Sequence, residues 1–307
     1  YIIYRDIFDQ ELARQAVKAG AKIMMNANAI GLLKEKDKIK GVKVKQFDDE
    51  FEIEADIVVG ADGVESKVGQ WAGINTCLNP KDLETCVQYT LTNVECKDAY
   101  SDFYLGKEIA PGGYIWVFPK GKDTANVGIG VLASLSEGGL PKKLLDRFIA
   151  NDSRLKRGEP IRFLAGAVPV ANPVDTVHDN LILVGDSARQ VDPITGGGLT
   201  HCLEGGKIAG ETIGKAVEKQ DFSRGMLSAY EVGWKEAFGR KIKRNYMVKE
   251  IMLDMEDKTF NMLADSLKDY KFDEISTMSL VAALVKKHPT LLMKLRPLMK
   301  VAKETKE

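Results

Sequence analysis

The run Asn180-Leu181-Ile182-Leu183-Val184-Gly185-Asp186 constrains the fold more than any other feature. It leads through Asp192-Pro193 to Gly196-Gly197-Gly198 and then into a helical pattern from Leu199 to about Lys219. Apolar residues in an unbroken row, without alternation, mark a strand covered on both faces, as parallel strands are in α/β sheets. Glycines at the start of the following helix let backbone N–H groups approach a ligand closely, and that helix end carries positive potential. Asp186, at the end of the strand, offers a carboxylate that can accept hydrogen bonds from sugar hydroxyls. A strand-to-helix loop with ordinary capping is the plainer alternative for any one of these features, whereas the whole pattern describes a ligand cradle.

The rest of the chain builds around this unit. Its 307 residues suffice for about two domains with a sizeable core. Lys+Arg 44 balance Asp+Glu 44, with 29% charged and 44% hydrophobic residues, which excludes global disorder and a nucleic-acid partner. Cys77, Cys86, Cys96 and Cys202 lack C-x-x-C spacing, so free thiols in a reducing compartment are expected and no metal centre. No leader and no long apolar run stands out, which predicts a cytoplasmic protein. Tyr1–Tyr4 reads as a strand without a polar lead-in, as if a domain began upstream. Asp9 caps a helix through Ala19, with Gly20 as its αL cap. Short strands are expected at Lys22–Met25, Gly41–Phe47, Phe51–Ile53 and Ile57–Val59, with a hairpin turn at Asp48-Asp49-Glu50. Antiparallel strands fill 84 to 134, a helix runs from Pro141 to Ala150, and a strand lies near Arg162–Val170. The late buried strand then returns to the first unit. The expected division is therefore 1–77 with 173–222, an antiparallel-sheet domain at 78–172, and a helical region at 223–307 broken at Gly239, Pro289 and Pro297.

Two further motifs bear on chemistry. In Val58-Val59-Gly60-Ala61-Asp62-Gly63-Val64-Glu65-Ser66, Asp62-Gly63 makes a tight turn whose carboxylate can fix a neighbouring loop. In Pro111-Gly112-Gly113-Tyr114-Ile115-Trp116-Val117-Phe118-Pro119, strand alternation sends Tyr114, Trp116 and Phe118 to one face, either as plain core or as an aromatic wall beside the cradle. Near the C-terminus, Lys286, Lys287, Lys294, Arg296, Lys300 and Lys303 are interleaved with leucines, a pattern that suits either a solvated helix or an anionic lipid surface. His178, His201 and His288 are scattered and read as structural.

Taken together, these motifs resemble the geranylgeranyl reductase family, within the flavoprotein group that includes aromatic hydroxylases and electron-transfer flavoprotein–quinone oxidoreductases. The resemblance implies an α/β chain, α+β overall. It would have an FAD-binding Rossmann-like domain of the aromatic hydroxylase/glutathione reductase type, an antiparallel β-sheet substrate domain and a helical C-terminal region. It implies that Gly185 and Asp186 hold the ribityl chain of FAD, and that Pro193, Gly196, Gly197, Gly198 and Leu199 border the flavin ring. Asp62 and Gly63 form the paired motif, Arg5 lies near flavin and pyrophosphate, and the backbone of Ala29 meets adenine. Pro111, Tyr114, Trp116, Phe118 and Pro119 line the isoprenoid site, with Tyr114 as a candidate proton donor. The implied activity is hydride transfer from reduced flavin to C=C bonds of geranylgeranyl chains in archaeal phospholipid precursors. An external donor would be needed (ferredoxin, deazaflavin or nicotinamide), with peripheral contact at the inner membrane face through the basic C-terminal helices. The chain departs from the family pattern in lacking the Gly-x-Gly-x-x-Gly phosphate loop, expected before Tyr1. It departs from the hydroxylases in having Lys67-Val68-Gly69 where they carry an arginine. The alternatives are an FAD-dependent monooxygenase, a quinone oxidoreductase (for which the cysteine spacing supplies no iron–sulfur ligand set), and a non-catalytic prenyl-lipid carrier.

Overall fold

A computed structural model describes residues 2–36, 38–97, 100–268 and 277–289. Helix α1 (Arg5–Lys18) begins upstream of the expected cap. Arg5 and Asp9 pair at 3.1 Å across its first turn, so Asp9 supports the helix from within instead of capping it. Residues 2–4 are irregular, not a strand, and the Tyr4 ring lies 3.5 Å from Lys120 Nζ. Gly20 takes φ +98° just past the helix, as its position predicts. Lys22–Met25 is not a strand either. Pairing starts at β1 (Ala27–Glu35), which meets β2 (Lys38–Gln46), which in turn meets β3 (Asp49–Glu54) in a three-stranded antiparallel sheet. The hairpin turns on Phe47-Asp48, with Gln46 opposite Asp49 and Phe47 at φ +57°, one step earlier than the acidic run suggests.

After β4 (Val58–Gly60) and the short α2 (Lys67–Ala72), the chain enters a five-stranded antiparallel sheet. Its strands are β5 (Leu83–Thr92), β6 (Asp102–Leu105), β7 (Tyr114–Pro119), β8 (Thr124–Leu132) and β9 (Glu159–Pro169), in the order β6-β7-β8-β5-β9. Period-two alternation sends Ile115, Val117, Val127 and Ile129 to one face, where Leu144 and Leu145 of α3 (Leu140–Asn151) cover them. Each such side chain contributes about 1.5–3 kcal/mol by leaving water. The opposite face of β7 carries Tyr114, Trp116 and Phe118.

Next, β10 (Val177–His178) turns into β11 (Leu181–Leu183). As the unbroken apolar run predicts, β11 is buried throughout and parallel to β4, with Leu181 opposite Val58 and Leu183 opposite Gly60. Helices α4 (Leu199–Lys219), α5 (Arg224–Trp234), α6 (Arg240–Leu253), α7 (Asp257–Leu267) and α8 (Thr277–Lys287) follow. The break expected at Gly239 is absent: a π-helical turn at Lys235–Gly239 joins α5 to α6. Gly239 permits this because a Cβ there would come within 2.9 Å of the Trp234 ring. Leu227, Tyr230, Trp234 and Ile242 pack on Ile182, closing the core over the parallel strands. Among the described residues no helix is long and apolar enough to cross a membrane. Of the basic C-terminal pattern, Lys286 and Lys287 close α8, while Lys294, Arg296, Lys300 and Lys303 lie outside the described residues.

Candidate functional site

Because β4 and β11 are parallel neighbours, the loops leaving their C-terminal ends meet, in the position where open α/β sheets bind ligands. The Val184 N–H donates to the Gly60 carbonyl at 2.9 Å. Ser187 Oγ lies 2.8 Å from the Gly60 carbonyl, and Ser66 Oγ donates to the Ser187 carbonyl at 2.8 Å. The Ala61-Asp62-Gly63 and Gly185-Asp186 motifs are thus bolted together by two buried serines. Asp62 Oδ2 accepts from the Val68 N–H at 2.9 Å and so fixes the start of α2, the role its turn chemistry predicts.

Gly185 takes φ +64°, which favours glycine, and a Cβ there would sit tightly against Cys202 Sγ at 3.0 Å. Its N–H donates to Gln190 Oε1 at 2.9 Å; Gln190 Nε2 donates to the Tyr230 hydroxyl at 2.8 Å, and that hydroxyl donates to the Leu183 carbonyl at 3.0 Å. No sequence signal connects Gln190 to Tyr230, and this buried relay escapes motif reading. Asp192 shapes the following loop. Its Oδ1 accepts from the Ile194 N–H at 3.0 Å, its Oδ2 from Asn245 Nδ2 at 2.8 Å, and its backbone bonds to Gly196 and Gly197. Gly196 at φ +65° completes the turn.

The loop delivers Gly198 as the N-cap of α4, with no side-chain cap, so the first N–H groups of that helix have no side-chain acceptor at the cap position. A Cβ on Gly198 would lie 3.1 Å from Asp186 Oδ1, which sets the half-buried carboxylate against the helix start. Burial pushes the Asp186 carboxyl up, and the charge of Arg5 opposes that push. Arg5 is therefore within electrostatic reach of Asp186, although its guanidinium bonds to Asp9. Leu199 opens α4 behind Gly198. Ala29 lies in β1 opposite Val44 and is exposed.

Beside this cradle is a cavity of about 470 Å³, walled by Phe103, Leu105, Tyr114, Pro193, Leu253 and Phe260 among others. Of the expected aromatic wall, Tyr114 alone reaches it. Trp116 stands behind, with Nε1 donating to Gln88 Oε1 at 3.0 Å and its ring stacked 6.2 Å from Phe118. Phe103, on the neighbouring β6, touches both Tyr114 and Phe118 and joins the wall without any motif to announce it. Pro119 alternates to the opposite, buried face with Ile115 and Val117; Pro111 accepts from the Leu132 N–H, leaving Gly112 and Gly113 to line the cavity. The spacing Gly128-Ile129-Gly130 acquires a physical reason here. A Cβ at Gly128 would lie 2.2 Å from Trp116 Cζ2, and one at Gly130 would lie 2.8 Å from Glu84 Oε2. Gly128→Ala is therefore expected to destabilise the protein by about 1–3 kcal/mol through overpacking, measured as a lower urea midpoint at unchanged m. An unchanged midpoint would show that the Trp116 ring moves aside freely.

Polar groups at the cavity are few. The Tyr114 hydroxyl donates to the Thr195 carbonyl, and burial, with the nearby Glu84 charge, drives its phenol well above the usual range. Its proton is thus committed and tightly held. Glu84 is only 5% exposed and burial pushes its carboxyl up to about 7, with Lys249 opposing. Lys249, reaching in from α6, meets Asp82 Oδ1 at 3.0 Å. Neither Glu84 nor Lys249 belongs to a recognisable motif.

The geranylgeranyl reductase catalytic domain matches residues 82–168. The digeranylgeranylglycerophospholipid reductase of Methanothrix thermoacetophila is 42% identical over 97% of this chain and 76% of its own length. The reductase of the same name from Methanosarcina acetivorans is 43% identical over 98% of this chain and 75% of its own. Among solved structures, a geranylgeranyl bacteriochlorophyll reductase-like protein from Thermoplasma acidophilum superposes with TM-score 0.91 at 39% identity, covering 96% of this chain and 75% of that one. A flavin-dependent brominase at TM-score 0.66 and 18% identity, covering 92% of this chain and 70% of its own, shares the fold alone.

Proposed function

The chain belongs to the geranylgeranyl reductase family, and from that premise we propose that it saturates C=C bonds of geranylgeranyl chains on archaeal glycerophospholipid precursors at a site built for FAD. One observation carries the reading: the 192–198 loop ends against Asp186 in the cradle, while Pro193 and Thr195 of the same loop wall the cavity. An apolar chain in the cavity then lies directly against whatever the cradle holds.

The residues present fit a flavin. The half-buried Asp186 carboxylate can accept the ribityl hydroxyls, while Gly198 and Leu199 present amides at the uncapped start of α4 to an electron-rich ring edge. In this reading Gly185, Gly196, Gly197 and Pro193 shape the cradle, Asp62 and Gly63 brace it, and Arg5 and Ala29 lie along the nucleotide. FAD, when bound and reduced, supplies the hydride. The protein contributes position and dryness: an isolated alkene has no carbonyl to polarise, so holding it in a water-poor cavity does most of the work. Tyr114, backed by Trp116, Phe118 and Phe103, forms the wall that orients the isoprenoid.

Residues 1–77 with 173–222 would form the cofactor domain, 78–172 the substrate domain and 223–307 the helical region. An external donor such as ferredoxin, a deazaflavin or a nicotinamide would return the flavin to its reduced form, and the basic C-terminal segment would rest on the inner face of the membrane. Asp186→Ala tests the cradle. Losing charged hydrogen bonds to the ribityl chain is expected to weaken flavin binding roughly 10- to 100-fold, read by titrating flavin absorbance. Wild-type flavin affinity in that variant would remove Asp186 from the site.

A further inference from the structure

We infer that Glu84 is the proton donor of this reduction, giving its carboxyl proton to the alkene carbon that does not receive hydride; the inference rests on the reductase reading above. Glu84 lines the cavity from β5. Its Oε2 would lie 2.8 Å from a Cβ on Gly130 and 4.0 Å from one on Gly196, so the carboxyl sits between the sheet and the loop that leads into the cradle. None of the side-chain hydrogen bonds of the described residues reaches its carboxyl, which borders the cavity although the residue is almost wholly buried. An acid so placed, with Lys249 near but not bonded to it, is costly, and a purely structural role would be served better by an apolar residue.

Among the described residues, the groups around it leave Glu84 as the available acid. Lys249, from α6, has its ammonium engaged by Asp82 Oδ1 at 3.0 Å and by the Val170 carbonyl at 2.9 Å. Tyr114, from β7, is committed to Thr195, and Cys86, farther along β5, has its thiol pushed up to about 12 by burial and by Glu84. Lys107 lines the same cavity, and Asp192 is held by backbone N–H groups and Asn245. Burial lifts Glu84 to about 7, so it is substantially protonated near neutrality and can still part with the proton.

The step balances as follows. The alkene π pair forms a C–H bond with the Glu84 proton at the less substituted carbon as the carboxyl O–H bond breaks, and positive charge develops on the tertiary carbon. That carbon receives hydride from reduced flavin, which is thereby oxidised by two electrons. Glu84 is left as a carboxylate near the Lys249 ammonium and regains a proton from water.

The test uses the flavin-loaded, dithionite-reduced protein mixed anaerobically with digeranylgeranyl phospholipid, comparing wild type with Glu84→Gln. Single-turnover flavin reoxidation by lipid is expected to slow by about 100-fold or more in the variant, with flavin affinity and reoxidation by oxygen unchanged. The wild-type rate should fall as pH rises through about 7, and the variant should lose that dependence. An infrared pH titration, without lipid, should show a protonated-carboxyl band disappearing near 7 in wild type and missing from the variant. A variant that reduces lipid at the wild-type rate overturns the inference while leaving the reductase reading intact. If the variant fails to fold, the wild-type infrared titration decides, and a carboxyl already ionised by about pH 5 overturns the inference. Wild-type protein that never passes hydrogen to lipid overturns the reductase reading and the inference with it.

Discussion

Lys249→Met is expected to cost the protein about 3–5 kcal/mol, the penalty for removing one partner from a buried ion pair. The side chains of Lys249 and Asp82 are 5% and 10% exposed, and their 3.0 Å contact ties α6 to the segment entering β5. The same ammonium donates to the Val170 carbonyl at 2.9 Å, just past β9, so one group fastens the helical region to the adjoining ends of the paired strands β5 and β9. In the variant Asp82 keeps the Tyr246 hydroxyl at 2.9 Å and the more distant charge of Arg189, but its buried carboxylate loses the ammonium that met it directly. Urea denaturation should show the loss as a lower midpoint. The double variant Lys249→Met, Asp82→Asn should recover much of it, because the orphaned charge is gone. A single variant within about 0.5 kcal/mol of wild type would mean that the pair anchors nothing.

Glu84→Gln carries the second large effect, and it has the opposite sign above neutrality. In the folded protein the Glu84 carboxyl holds its proton up to about 7, against 4.5 for an ordinary glutamate, so the folded state binds the proton more tightly than the unfolded chain. That contribution to stability is complete below the unfolded value and is lost as pH rises through the folded one. Ionised Glu84 at about pH 8 therefore penalises folding by on the order of 3 kcal/mol, a penalty that glutamine does not incur. The variant should have the higher urea midpoint at about pH 8 and match wild type near pH 4.5. Parallel stability curves for the two proteins between those limits would contradict the environment described for Glu84. A substitution that stabilises the fold while slowing turnover is the pattern expected where a site has been placed against the interests of stability.

How much of this was legible in the sequence depended on how far apart the interacting residues lie. The 181–199 segment announced itself because strand, glycine turn and helix are contiguous, and the observed β11 and α4 fall where the apolar run and the helical period put them. The first two expected strands misled. Tyr1–Tyr4 and Lys22–Met25 carry strand-like composition, but residues 2–4 and 22–25 join no sheet and pairing starts at Ala27–Glu35, whereas the later expected strands are found as β2, β3 and β4. Asp9 looked like a cap, yet Arg5 made it an intrahelical partner. In the aromatic signature, alternation correctly grouped Tyr114, Trp116 and Phe118, but pattern alone could not say that Tyr114 faces the cavity while Trp116 and Phe118 support it. Glu84 was invisible because its meaning comes from Gly130, Gly196 and Lys249, each on a different element. At the start of a strand, an isolated glutamate reads as solvent-facing until the sheet and α6 close over it.

The most direct measurement of the central claim follows the reduced flavoprotein and its lipid together. The protein, loaded with flavin and reduced without oxygen, is mixed with digeranylgeranyl phospholipid while flavin absorbance and lipid mass are recorded. The account predicts that the flavin reoxidises as the lipid gains hydrogen in pairs, one pair for each flavin equivalent oxidised. A flavin that stays reduced beside unchanged lipid, and that reoxidises only when oxygen or a quinone is added, would contradict it.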